Sequence, residues 1–312
     1  MRGRGGPPIF RGVTAALAVT GLTKTYRSLF GGAHDALRGL TLSIPRGAAF
    51  GLIGPNGAGK TTFIKVLLGV VQPTGGEVTV LDGAPGDVSV RARIGYLPER
   101  MHLPAALSAK QFLRSVATLK RLSPSDTELR KSLERVGLSD DRQRIGSFSK
   151  GMRQRLGLAA AMLGAPELLI LDEPTDAIDP VGRVEVRRLL LEEHARGATL
   201  LLNSHLLSET ERVCDRVAVL QRGQLTLEGT LDEVRRVSTA WRVRFEAGAD
   251  EAALRDAGFV DGVFSGDVSA LNLALDRVRA GGARLVALTP MERDLEQVLS
   301  EAMESTSGAR RP

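Results

Sequence analysis

The chain contains one cysteine, Cys214. That excludes an intramolecular disulfide and any metal centre built from cysteines, and it fits a reducing compartment. Aromatic residues make up only 4% of the sequence, so a core must rest on Leu, Val, Ile and Ala. No stretch approaches the ~20 uninterrupted apolar residues that a membrane-spanning helix needs. Internal repeats are absent, and so is any second copy of the glycine-rich loop described below. What the chain has in excess is positive charge, +6 overall, much of it at the ends in Arg2, Arg4, Arg11, Arg310 and Arg311. Such ends read as solvated basic tails rather than a nucleic-acid surface, so no direct nucleic-acid partner is expected. The short apolar run Val13–Val19 after the first arginines has the length of a signal-peptide core. It belongs equally well to a strand leading into Thr23-Lys24-Thr25-Tyr26, and residues 1–14 read as a disordered extension.

The most informative stretch is Gly54-Pro55-Asn56-Gly57-Ala58-Gly59-Lys60-Thr61-Thr62. The apolar run 48–53 before it reads as a buried strand. Phe63, Val66 and Leu67 after it fall at i, i+3 and i+4, one face of a helix. Strand, glycine loop and helix start are the setting in which G-x-x-x-x-G-K-[ST] is a phosphate loop. Glycines let successive N–H groups converge on an anion, and the helix N-terminus adds unpaired donors and a positive dipole end. Lys60 supplies a mobile charge for the β- and γ-phosphates, and the Thr61 hydroxyl is placed to ligate Mg²⁺. The sequence therefore predicts a nucleoside-triphosphate site, which places the protein where ATP is plentiful, in the cytoplasm.

Strands are expected at 16–26, 40–44, 77–81, 94–97, 168–171 and 198–202, with a loop at 28–35. Helices are expected at 108–122, 125–136 and 151–163, the last rich enough in Ala and Gly to pack closely. The runs at 168–171 and 198–202 are apolar throughout, as in parallel strands buried on both faces. They end in Asp172-Glu173 and Asn203-Ser204-His205, and ligands of open α/β sheets sit beyond the carboxyl ends of strands. Phosphate loop, acidic pair and histidine should converge on one edge. From about residue 235 the pattern changes to a strand at 241–245, helices at 252–256 and 271–279, a strand at 284–288 and a helix at 291–303, with no chemistry-bearing cluster.

About fifteen residues ahead of the strand ending in Asp172 lies Phe148-Ser149-Lys150-Gly151-Met152-Arg153-Gln154-Arg155. With this segment the chain resembles the ATP-binding-cassette (ABC) ATPases over roughly residues 16–230, with six of the family's motifs in order. The resemblance implies an α/β fold: a phosphate-loop ATPase core at 15–234 with a mainly parallel sheet, an antiparallel β part and a helical subdomain near 100–165. A small α+β accessory domain at 235–305 and a tail at 306–312 would follow. It implies ATP and Mg²⁺ as ligands, held by residues 54–62. Tyr26 matches the aromatic that stacks on adenine, and Glu99 the position, usually Gln, that contacts Mg²⁺ and the attacking water. Ser149, Lys150 and Gly151 match the signature that contacts the γ-phosphate bound by another protomer; Lys150 replaces a glycine and Met152 a glutamine. Asp172 matches the carboxylate on Mg²⁺, Glu173 the general base, Asp179 the aspartate of the dimer interface and His205 the switch histidine on the γ-phosphate.

The implied function is the ATPase subunit of a transporter of the exporter-like subgroup, peripheral on the cytoplasmic face of the membrane. It would act as a homodimer, or a heterodimer with a second cassette, on a separate transmembrane permease subunit. The second reading is a soluble cassette acting on ribosomes or nucleic acid. Against it stand the single phosphate loop and the mere ninety or so residues between that loop and the signature, which leave no room for a long coiled coil.

Overall fold

The computed structural model describes residues 14–28, 31–139, 143–204, 206–236, 240–246, 249–291 and 295–297. His205, most of the expected helix 291–303, the tail and all but the last residue of the expected extension at 1–14 lie outside them. The chain divides into two compact units, residues 1–228 and 229–312.

In the first unit β1 (Ala15–Ser28), β2 (Gly32–Pro45) and, after β3 (Ala49–Ile53) and α1 (Lys60–Leu67), β4 (Gly75–Val80) form an antiparallel sheet in the order β2-β1-β4. The chain continues through α2 (Val88–Ala92), β5 (Ile94–Leu97), α3 (Ala109–Leu119), α4 (Asp126–Arg135) and α5 (Lys150–Met162). It goes on to β6 (Leu168–Asp172), α6 (Pro180–Ala195), β7 (Thr199–Asn203), α7 (Leu207–Val213), β8 (Arg216–Gln221) and β9 (Gln224–Thr230). Among the described residues the second sheet runs β5-β6-β7-β3-β8-β9, parallel from β5 to β8. A two-residue turn, Arg222-Gly223, with φ of 48° and 78°, leads from β8 to β9; positive φ at both positions is what so tight a hairpin needs.

The all-apolar strands have a simple cause. Leu168 and Ile170 of β6 enter one core with Phe50, Phe63 and the inner face of the antiparallel sheet. Leu169 and Leu171 enter a second core with α3, α4, α5 and α6. Alternate residues are buried on opposite faces, so every position is apolar. The Ala/Gly-rich helix packs as its composition predicts: a Cβ on Gly95 of β5 would stand 2.1 Å from the Ala161 carbonyl of α5.

Helices α3 and α4 start at capping boxes, Ser108 with Gln111 and Ser125 with Glu128. Helix α3 stops short of the expected Leu122 because Arg121 turns to φ 58°. The expected loop at 28–35 is shorter than its glycines imply, since β2 pairs with β1 from Gly32 onward, with Tyr26 opposite His34 and Thr25 opposite Asp35.

The second unit contains α8 (Leu231–Arg236), β10 (Ala240–Phe245), α9 (Glu251–Asp256), β11 (Phe259–Val260), β12 (Val263–Ser265), α10 (Val268–Ala280) and β13 (Leu285–Pro290). Its antiparallel sheet runs β11-β12-β10-β13, a split β-α-β arrangement. Val243, Phe259, Phe264, Leu271 and Leu275 form its core, with the Phe245 and Phe259 rings edge-to-face at 5.3 Å. Asp267 caps α10 and starts it three residues before the expected Leu271.

Candidate active site

The phosphate loop joins β3 to α1, and two glycines in it are sterically required. At Gly54, φ 156°, a Cβ would stand 2.1 Å from the Leu220 carbonyl of β8. At Gly59, φ 108°, it would stand 2.5 Å from the Ala36 carbonyl of β2. Sheet and loop are thus in backbone contact, and Gly223 N–H also donates to the Ala58 carbonyl at 2.8 Å. Lys60 opens α1 and folds back, its Nζ donating to the carbonyls of Gly54 and Pro55 at 2.5 and 3.2 Å. Partial burial lowers its pKa, against the opposing charges of Glu173, Asp172 and Glu99. The lysine is a poorly solvated cation aimed at the loop, which an anionic phosphate would neutralise.

Around the loop lies a cleft of about 590 Å³ whose walls include Asn56 to Thr62, His34, Glu99, Glu173 and Asn203. Asp172 ends β6 in full burial, accepting a hydrogen bond from Asn203 Nδ2. Burial raises its pKa, and Glu99 and Glu173 push the same way, beyond what Asn203 and Lys60 offset. Glu173 follows in the left-handed region, φ 54°, which side chains other than glycine seldom adopt. Its N–H donates to the Asn203 carbonyl at 2.8 Å. Its own carbonyl accepts from Gln154 Nε2 at 2.8 Å, and its carboxylate accepts from Ser204 Oγ at 3.3 Å.

Glu99, Glu173 and Asp176 give the cleft acidic walls, with Asp172 buried behind them. The Oδ1 of Asn203 is buried with no partner, and Thr61, Glu99 and Asp172 offer oxygen donors. Among the described residues no group of three or more His, Cys, Asp or Glu makes a ready-made metal cage. Mg²⁺ is commonly held by one or two carboxylates with phosphate and water completing the shell, and Thr61, Glu99 and Asp172 are oxygen donors of that kind.

The signature residues do not themselves line this cleft, although Lys150 reaches its wall residue Asp176. Ser149 caps α5, its Oγ accepting from Met152 N–H at 3.2 Å. Lys150 pairs with Asp176 at 2.9 Å, and a Cβ on Gly151 would stand 3.2 Å from the Ala177 carbonyl. None of the three lines the cleft. Asp179 caps α6 by accepting from Gly182 N–H at 2.8 Å, the main reason its pKa is lowered, and it too lies outside the lining. So does Tyr26, whose half-exposed ring has Lys24 Nζ 5.1 Å from its centroid; its cross-strand neighbour His34 lines the cleft instead. The sequence reading assigned no role to His34, Gln154, Asn203 or Ser204. A signal existed for Gln154, a polar residue on an otherwise apolar helix face, and for Asn203, directly after three leucines.

The profile of the ABC transporter family matches residues 37–176. An uncharacterized ABC transporter ATP-binding protein of Synechocystis is 35% identical over 304 residues, covering 93% of this chain and 84% of its own length. The chain belongs to the ABC transporter ATP-binding family. A fluoroquinolones export ATP-binding protein of Mycobacterium tuberculosis is 35% identical, covering 80% of this ABC protein and 83% of its own length. A dimeric ATP-binding cassette in a post-hydrolysis state with ADP and Pi superposes with a TM-score of 0.63 at 24% identity, covering 69% and 98% of the two chains. The fold is that of the ABC cassette, and the protein is an ATPase of the ABC transporter family. Among the described residues no helix is long and apolar enough to cross a membrane.

Proposed function

We propose that two copies of this cassette close over two ATP molecules and drive a separate transmembrane permease of an export system from its cytoplasmic face. The observation that carries this is the separation within one chain: Lys60 and Glu173 line the cleft, whereas Ser149 and Gly151 do not. A signature at a helix N-terminus suits an anion, and a second chain's γ-phosphate is the anion that a symmetric dimer would bring to it.

In this reading the loop N–H groups and Lys60 hold the β- and γ-phosphates, Tyr26 stacks on adenine, and Asp179 and His205 help to close the site. Thr61, Asp172 and Glu99 would hold Mg²⁺, which screens charge on the phosphates when bound. Glu173 takes a proton from water as that water attacks the γ-phosphorus, the bond to the β-phosphate oxygen breaks, and ADP and inorganic phosphate result. Positioning and charge stabilisation do most of the work, and the general base contributes roughly 10²–10⁴-fold. Glu173→Gln should therefore abolish hydrolysis while ATP still binds, read by phosphate release and by nucleotide titration. Turnover near wild type would remove Glu173 from the role of base.

The permease contact is assigned to an apolar groove of about 370 Å³ walled by Tyr96, Met101, Leu103, Phe112, Val116 and Lys120. Met101 and Leu103 also pack on the helical core, so they are poor probes of docking. Arg100 at the rim has an 89% exposed side chain. Arg100→Glu should release the protein from membranes and leave basal ATPase intact, read by cell fractionation and an assay on purified protein. Wild-type protein found free in the cytosol, with no polytopic protein co-purifying, would overturn the permease assignment. The Mycobacterium relative named for export supports the direction of transport.

A further inference from the structure

We infer that Gln154 is a positioning residue for the general base, an inference that rests on the reading of Glu173 as that base. Gln154 is 94% buried, with 6% of its surface exposed, on a helix whose other buried residues, Leu156, Leu158 and Ala161 among them, carry no polar side chain. A buried amide costs free energy unless it is hydrogen-bonded, and this one donates to the Glu173 carbonyl at 2.8 Å. The acceptor belongs to a residue at φ 54°. A left-handed conformation without glycine is strained and persists only where the surroundings over-determine it.

Two of the supports for Glu173 come from residues at or just beyond the end of β7, namely the Asn203 carbonyl and the Ser204 hydroxyl. Gln154 supplies another from a different layer, onto the carbonyl of the same residue, which otherwise accepts only from Asp176 N–H at 3.1 Å in the turn that follows. With only that local turn left on the carbonyl, the residue can relax toward ordinary φ and swing the carboxylate off the line of attack. Gln154 lies five residues beyond Ser149 on α5, about 7.5 Å along the helix axis. The helix that presents the signature therefore also carries the strut behind the base of its own chain.

Two variants test this on the full chain. Gln154→Met keeps the length and removes the donor; Gln154→Glu keeps the shape and turns the donor into an acceptor. Each should lower kcat roughly a hundredfold, as a misplacement of about 1 Å does, while KM for ATP stays within about twofold. Because binding is intact and turnover is not, ATP should trap either variant as a dimer, as it should Glu173→Gln. Thermal unfolding establishes that each variant is folded, and Gln154→Glu carries the test should the Met variant fail to fold. A folded variant with kcat within about threefold of wild type overturns the inference. So does loss of kcat together with loss of the ATP-trapped dimer, which would mean that Gln154 serves the signature end of α5. If Glu173→Gln itself turns over normally, the base assignment fails instead, whatever Gln154 does.

Discussion

The two ends of strand β6 carry carboxylates in opposite circumstances. Before its first residue, Glu167 is gripped by Arg93 at 2.5 and 2.7 Å and by Arg46 at 2.8 Å, and Arg46 also reaches Asp82. Hydrogen bonding from Arg93, with Arg46 adding to it, holds the Glu167 pKa down at about 2. At the other end Asp172 is buried beside Glu173 and Glu99, its pKa is raised, and the lysine facing it is itself poorly solvated. One end has its charges matched within the chain and ties the antiparallel sheet to the parallel one. The other leaves negative charge to be met from outside. Matched carboxylates hold the fold together, whereas under-compensated ones at a strand's carboxyl end mark the place of work.

The largest effect should come from widening the imbalance at the acidic end. Lys60→Ala removes the cation that faces Asp172 and Glu173 and should abolish ATP binding and hydrolysis together, read by nucleotide titration and phosphate release. Asp172→Asn comes next. It should cut kcat roughly a hundredfold, as loss of a charge-stabilising group does, while raising the melting temperature of the nucleotide-free protein. That rise would be about 2–4 °C if the relief is on the order of 1 kcal/mol. A variant that melts lower would contradict the comparison.

Glu167→Gln should do the reverse and do less. ATPase activity stays at the wild-type level, and the melting temperature falls by about 2 °C, because a half-exposed pair is screened by solvent and contributes ~1 kcal/mol or less. The pH dependence has a definite sign. The folded pKa of about 2 lies below the ordinary 4.5, so the unfolded chain binds more protons between these values. Stability from this cluster is complete above about pH 4.5 and is lost as pH falls toward 2. Acid unfolding followed by circular dichroism should show that part of the slope missing in Glu167→Gln.

Much of the site was legible because its chemistry is local. The phosphate loop needs glycine, lysine and threonine at fixed offsets, and Gly54 and Gly59 are where a Cβ would strike backbone. The strands ending in Asp172 and Asn203 announce themselves by continuous apolar runs. What stayed hidden depends on partners distant in sequence. Pairing with β1 turned Gly32 to Asp35 from an expected loop into strand. The strands β11 and β12, of two and three residues, are too short to carry a period. No pattern of residue types reveals that Glu173 sits at positive φ, nor that the buried amide of Gln154 holds its carbonyl. Helix α6 carries a readable start signal, Asp179 as its cap with Pro180 in the first turn, on the same aspartate that the resemblance assigns to the dimer interface.

In the proposed cycle the phosphate site of each copy is completed by a second chain, so that ATP joins two copies until it is hydrolysed. Sedimentation of Glu173→Gln at saturating ATP, and again at saturating ADP, tests this directly. A doubling of mass in ATP and the mass of a single chain in ADP is the predicted result; a single-chain mass with ATP fully bound would contradict it.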